Sequence, residues 1–295
     1  MKDSVHTVIH SMDGVSWQLR APHDFAWLEA LGKVFAVFDQ QDSGNLSFGV
    51  ATPSGKKFIK YAGAPTLAYS GDVQAAVARL QQAVRVYEDL QHPALIKLCG
   101  HGPAGQGYAA LFEWNEGENL HPHWSFPPPA KYEHPDSPYY RYKQLPIMQR
   151  VCSVNEIFDF HEHVERQGYV AVDFYDGSIL YDFNSNKTVV CDIDLYHKGA
   201  FVNRMGRLWG SSRFMAPEEF RLDATIDGIT NVFVMGAVAF GLLGGECDRS
   251  LEKWEAGEEL YKVAAKAVQT HRQDRYASVA ELNRAWRQAQ KGLHS

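Results

Sequence analysis

The chain has 295 residues, 45% of them hydrophobic and 22% charged, an ordinary globular composition that excludes disordered, collagen-like and fibrous classes. Its 29 lysines and arginines face 35 aspartates and glutamates, a formal charge of -6, which argues against a dedicated nucleic-acid binder. Cys99, Cys152, Cys191 and Cys247 are far apart and form no CxxC pair, so neither a zinc knuckle nor a disulfide scaffold is expected. The first residues mix both charge signs without an apolar run, so no signal peptide is expected. The longest apolar run, Val232–Leu243, is 12 residues, short of the roughly 20 that span a bilayer. These features predict a cytoplasmic protein with no membrane and no nucleic-acid partner.

In chain order, strands are expected at Val34–Phe38, Leu46–Val50 and Lys57–Tyr61, separated by the polar tract Asp39–Asn45 and the turn Pro53-Ser54-Gly55. Together they make an antiparallel meander. Apolar residues then recur at three- and four-residue steps from Asp72 to Leu90, the pattern of an amphipathic helix, with Ser70-Gly71-Asp72 as its cap. Further strands are expected at Ala94–Leu98 and Tyr108–Trp114. The stretch 116–145 holds Pro122, Pro127, Pro128, Pro129, Pro135 and Pro138 among many aromatics, and reads as a linker or surface insertion. Beyond it, helices are expected at 146–167, 231–243, 255–271 and 279–290, with a strand–turn–strand at Ser178–Asp182 and Thr188–Asp192. The resulting class is α+β: residues 1–115 form a small antiparallel-sheet lobe with one long helix and an N-terminal extension, and residues 116–295 a larger, mainly helical lobe.

Three acids stand out. Asp192 and Asp194 end an apolar strand, and Asp173 precedes the strand that pairs with it. Carboxylates gathered at strand ends repel one another unless a cation is present, and hard oxygen donors suit Mg²⁺ with bound phosphates. A solvated acidic turn is the competing reading.

The order of blocks resembles the protein kinase superfamily, in a divergent, bacterial Ser/Thr-kinase-like form, from about Val34 to Trp286. Met215-Ala216-Pro217-Glu218 matches its A-P-E motif, with Gly210-Ser211 ahead of it, and Asp192 lies 26 residues before Glu218. Thr230–Gly236 resembles the start of the buried helix that follows, and Arg272-Gln273-Asp274-Arg275 the late motif whose arginine pairs with the A-P-E glutamate. The resemblance implies a bilobal kinase-like fold using ATP and Mg²⁺. It implies that Lys60 contacts the α/β-phosphates, that Asp173 accepts the substrate hydroxyl proton, and that Asp192 holds the metal. It places Gly44 near the end of the phosphate-covering loop, with Glu113, Trp114 and Asn115 at the adenine-binding hinge. Glu218 and Arg275 are the implied structural pair, and Ser211 the implied bridge to Asp173.

The departures are specific. The glycine loop is reduced to Asp39-Gln40-Gln41-Asp42-Ser43-Gly44, and the helix places Ala83 where the lysine's glutamate partner belongs, with Gln81, Gln82 or Glu88 as substitutes after a register shift. Ala171-Val172 replace His-Arg before Asp173, which removes the usual reader of a phosphorylated activation segment. Tyr175 takes the place of a lysine, and Ser178 that of the metal-binding asparagine. Asp194 replaces the glycine of D-F-G; on a strand it faces the same way as Asp192 and compensates for Ser178 at a second metal. A turn-capping role for Asp194 is the alternative. The expected function is phosphate transfer to Ser or Thr of a protein substrate. The alternatives are a pseudokinase that binds nucleotide or a regulatory partner without turnover, and a small-molecule kinase of the aminoglycoside or choline type.

Overall fold

The computed structural model describes residues 7–291. Residues 1–6, on which the expected lack of a signal peptide rests, lie outside them. The chain divides into two compact units, residues up to Gln91 with Ile96–Glu116, and His92–Leu95 with the residues from Gly117 onward. Both are built from antiparallel strand pairs and helices, an α+β arrangement.

The first unit opens with a hairpin, β1 (Val8–Met12) and β2 (Val15–Leu19), then a single helical turn, α1 (Ala26–Glu29). The alternation Val15, Trp17, Leu19 turns large apolar residues inward, a strand pattern that sequence reading passed over. Trp17 stands edge-on to Phe25 and Phe48, with ring centroids 5.1 and 5.2 Å away. The expected meander follows as β3 (Lys33–Phe38), β4 (Asn45–Thr52) and β5 (Gly55–Ala62). Next come the helix α2 (Val73–Asp89), β6 (Leu98–Ala104) and β7 (Gly107–Glu113). The five-stranded sheet runs β3-β4-β5-β7-β6 with every neighbouring pair antiparallel. Asp72 caps α2, its carboxylate accepting from the N–H groups of Gln74 and Ala75 at 3.1 and 3.2 Å.

The strand expected at Ala94–Leu98 is displaced. The His92 ring accepts from Ala94 N–H and Leu95 N–H returns to His92 O, so Pro93 sits in a closed turn and the strand starts only at Leu98. Its continuation through Gly100, Gly102 and Pro103 is tolerated because β6 is an edge strand.

In the second unit the proline- and aromatic-rich stretch carries β8 (Glu118–Asn119), α3 (Ala130–Glu133) and α4 (Pro138–Lys143). It is no loose cover: Tyr142 and Lys131 have no exposed surface, and Tyr139 donates its hydroxyl to Gly241 O at 2.7 Å. The long helix α5 (Ile147–Arg166) leads to β9 (Tyr169–Val170), then β10 (Ile179–Asp182) and β11 (Lys187–Val190). Short pairs follow, β12 (His197–Lys198) with β9 and β13 (Phe201–Val202) with β14 (Thr225–Ile226). The apolar run becomes α6 (Gly228–Leu243), started by Asp227, which accepts from Ile229 N–H while Thr230 Oγ1 accepts from Asp227 N–H. Helix α6 is buried on every side from Thr230 onward and packs against α5, α7 (Glu258–Ala267) and α8 (Val279–Lys291). Helix α7 is shorter than expected at both ends. Gly257, with φ 81, sets its start, and past its end the Gln269 and Thr270 carbonyls accept from Arg275. All four cysteines are free thiols, and among the described residues no helix is long and apolar enough to cross a membrane.

Candidate functional site

The first unit carries Lys60 near the end of β5, opposite Ser47 on β4 and Ala110 on β7. It is 7% exposed, so its ammonium is not the solvated strand-end charge that a surface lysine would be, and a buried cation calls for counter-charge. Helix α2 turns Leu80, Ala83, Val84 and Tyr87 inward and offers no acid on that face. Glu88, the candidate substitute, is committed to His101 Nε2 at 3.1 Å.

The tract before β4 is tied down. Gly44 has φ 83, and a Cβ there would meet the Tyr69 ring at 2.7 Å, so only glycine fits. Arg79 of α2 donates to Ser43 O at 3.0 Å, and Asp39 accepts from Gln18 N–H at 3.3 Å. At the expected hinge, Glu113 N–H donates to Lys97 O at 2.8 Å and Trp114 N–H to Lys56 O at 3.3 Å. Both donors are therefore committed within the first unit, and neither is open to a ligand.

The second unit carries the acids. Asp173 and Asp192 both adopt left-handed backbone, φ 63 and 54, which residues with a Cβ seldom do. The two carboxylates share an electrostatic neighbourhood. Burial pushes the Tyr175 and Tyr196 hydroxyls above their ordinary range, and Asp173 and Asp192 push both further in the same direction. Both phenols therefore stay neutral. Ser178, 1% exposed, braces the loop. Its hydroxyl donates to Asp173 O at 3.5 Å and its carbonyl accepts from Cys191 N–H at 2.9 Å, tying the Asp173 turn to the chain entering Asp192.

Strand β11 ends at Val190, short of Asp192, and Asp194 lies in the turn that Tyr196 N–H closes on Ile193 O. The premise that a strand turns Asp192 and Asp194 the same way is thereby corrected, because the left-handed Asp192 breaks the alternation. Among the described residues no three His, Cys, Asp or Glu side chains are placed to hold a metal ion by themselves. Two carboxylates nonetheless suit Mg²⁺, which takes one or two from a protein and the rest of its shell from phosphate and water.

The segment after these acids is anchored twice. Glu218, 2% exposed, receives Arg275 Nη1 and Nη2 at 2.7 and 2.9 Å, and Arg272 Nη1 at 2.7 Å. Burial alone would raise the Glu218 carboxyl, but Arg275 and Arg272 bring it below its ordinary value. Ser211 accepts from Arg213 Nε at 3.0 Å, and it is Gly210 that passes Asp173: a Cβ there would lie 3.6 Å from Asp173 Oδ1.

Two further features belong to this unit. One is His161 on α5, fully buried and held neutral, its ionisation pushed down to about 3 by burial. Its Nδ1–H donates to Ile157 O at 2.8 Å, its Nε2 accepts from Tyr196 Oη at 2.7 Å, and its ring contacts Phe174 at 4.3 Å. The other is a buried charge network of Lys131, Asp176, Arg213 and Glu246, whose one sequence trace is a fourth acid, Asp176, in Asp173-Phe174-Tyr175-Asp176. Compared with protein-family models and with curated proteins, the chain matches none.

Proposed function

We propose that the chain is an ATP- and Mg²⁺-dependent phosphotransferase of the protein-kinase type, acting on Ser or Thr of a protein substrate. The observation that carries this reading is the pair of left-handed acids, Asp173 and Asp192, joined through Ser178 in one unit. Strained backbone at two loop acids is the kind of cost that functional sites retain. Bound ATP supplies the transferable phosphoryl group, with Mg²⁺ neutralising its charge. Asp173 orients the acceptor hydroxyl and takes its proton at the carboxylate, and Asp192 would be the principal Mg²⁺ ligand, helped by Ser178, whose carbonyl accepts from the neighbouring Cys191 N–H, and by Asp194 two residues further on. Lys60 offers its ammonium to phosphate oxygens. A five-stranded sheet with one long helix, followed by a mainly helical unit, supports the bilobal kinase-like reading.

The test is thermal unfolding with ATP, Mg²⁺ and both, followed by labelled-phosphate transfer. A hundredfold excess of ligand over Kd stabilises by about 2.7 kcal/mol, so a shift that needs both components is expected. Asp192→Ala should abolish it, and Asp173→Asn should keep the shift while losing transfer. An undiminished shift in Asp192→Ala would remove the metal site from this reading. The pinned tract at Asp39 and Ser43 and the commitment of Glu88 to His101 favour a second reading, a pseudokinase binding module without turnover. A shift with ATP and Mg²⁺ but no transfer to any protein would select it.

A further inference from the structure

The Lys131, Asp176, Arg213 and Glu246 side chains form a closed network of two acids and two bases, 0–17% exposed. The Arg213 fork meets both Asp176 oxygens at 2.9 Å and also reaches Glu246. Lys131 pairs with Asp176 and lies 3.4 Å from Glu246, over the Tyr139 ring at 4.2 Å, and Tyr132 donates to Glu246 at 2.8 Å. Burial would raise the Asp176 carboxyl, yet Lys131 and Arg213 bring it below its ordinary value, so it stays ionised. Glu246 is held at a left-handed φ of 60, a strained position from which it completes the set.

The placement of these four groups suggests more than stability. Asp176 lies in the turn that Ser178 N–H closes on Tyr175 O at 2.9 Å, and the Ser178 hydroxyl ties that turn to Asp173 O at 3.5 Å. Arg213 belongs to the segment whose Gly210 passes Asp173. The valine before Asp173 leaves that turn without the arginine through which a phosphorylated segment could be read. Here the polarity is reversed, with the arginine on the segment and a permanent carboxylate on the turn. A bidentate arginine–carboxylate pair fixes orientation as well as distance, as a phosphate–arginine contact would.

We infer that Asp176 and Arg213 are positioning residues forming an unmodified latch, braced by Lys131 and Glu246, that holds the segment 210–218 against the Asp173 turn without phosphorylation. The stretch 116–145 is then part of that apparatus through Lys131. This rests on the phosphotransferase reading for its effect on turnover, but not for the latch itself.

The experiment compares the full chain with Arg213→Met, Arg213→Lys and Lys131→Met by amide hydrogen exchange and by steady-state transfer. Exchange in 207–216 and 173–178 should rise at least about tenfold in Arg213→Met, with α8 unchanged, as expected when a local contact is lost. The kcat should fall about a hundredfold with the KM for ATP unchanged, because misplacement of about 1 Å costs that much. Arg213→Lys, which keeps the cation and loses the fork, should recover part of both, and phosphatase treatment of the wild-type protein should leave its rate unchanged. Undisturbed exchange in folded Arg213→Met or Arg213→Lys would overturn the latch, as would a rate that collapses after phosphatase. If the wild-type chain transfers no phosphate under any condition, the functional reading fails, while the exchange measurement still decides the latch.

Discussion

At the residue scale, the Glu218 carboxylate shows how burial and pairing set the worth of a charge. Arg275, whose side chain has no exposed surface, meets both of its oxygens, whereas Arg272 is 26% exposed and divides its fork between Glu218 and Asp227. Arg275→Met removes the better-buried partner and leaves a carboxylate that water does not reach, a change that costs about 3–5 kcal/mol. Arg272→Met leaves the Arg275 fork in place and should cost about 1 kcal/mol, the scale of a partly solvated pair. Urea unfolding of the two variants measures the difference directly. Equal losses would mean that the pair with Arg275 carries no special share of the anchor.

At the scale of elements, the cap of α2 is a local contract between a side chain and two backbone donors. Asp72→Ala leaves Gln74 and Ala75 N–H without that acceptor and should lower stability by about 1 kcal/mol, while Asp72→Asn keeps most of it. A denaturation midpoint unmoved by Asp72→Ala would show that solvent replaces the cap fully. Elements of this kind were legible from sequence because their signals are local. The three- and four-residue period of α2 and the turn residues between β4 and β5 read directly, and the 26-residue spacing from Asp192 to Glu218 marked the candidate acids. What stayed hidden depends on distant partners. Strand β6 has two glycines and a proline and becomes a strand through its pairing with β7. The charge network joins residues 45, 37 and 33 positions apart, so Lys131 in a proline-rich stretch reads as a surface charge until its acids are seen.

At the scale of the whole molecule, two buried groups pull the pH dependence of stability in opposite directions. Burial pushes His161 down to about 3 from an ordinary 6.5, so the folded protein keeps the ring neutral while the unfolded chain protonates below 6.5. Its contribution is fully present above 6.5 and is lost as pH falls toward 3. Burial, reinforced by Glu218 and Asp173, pushes Glu219 up to about 8 from an ordinary 4.5, so the folded protein keeps its proton while the unfolded chain releases it. That contribution is present below 4.5 and is lost as pH rises toward 8. Between 4.5 and 6.5 the two slopes offset each other. Below that window His161 is joined by Asp176 and Glu218, both ionised more readily in the folded state, and above it Glu219 acts alone of the four. With each pKa unit worth about 1.4 kcal/mol, either edge can move stability by a few kcal/mol. His121, pushed down to about 4 by burial, adds to the acid side, so the melting temperature should peak toward pH 6.5 and fall on both sides. Glu219→Gln, whose amide oxygen still accepts from Ala216 N–H, should flatten the alkaline edge and leave the acid edge in place. His161→Gln should make the acid side shallower from 6.5 down to about 3, with Asp176 and Glu218 still carrying its lower part. An alkaline edge unchanged in Glu219→Gln would mean that the buried carboxyl ionises in place and adds a negative charge to the segment behind Asp173.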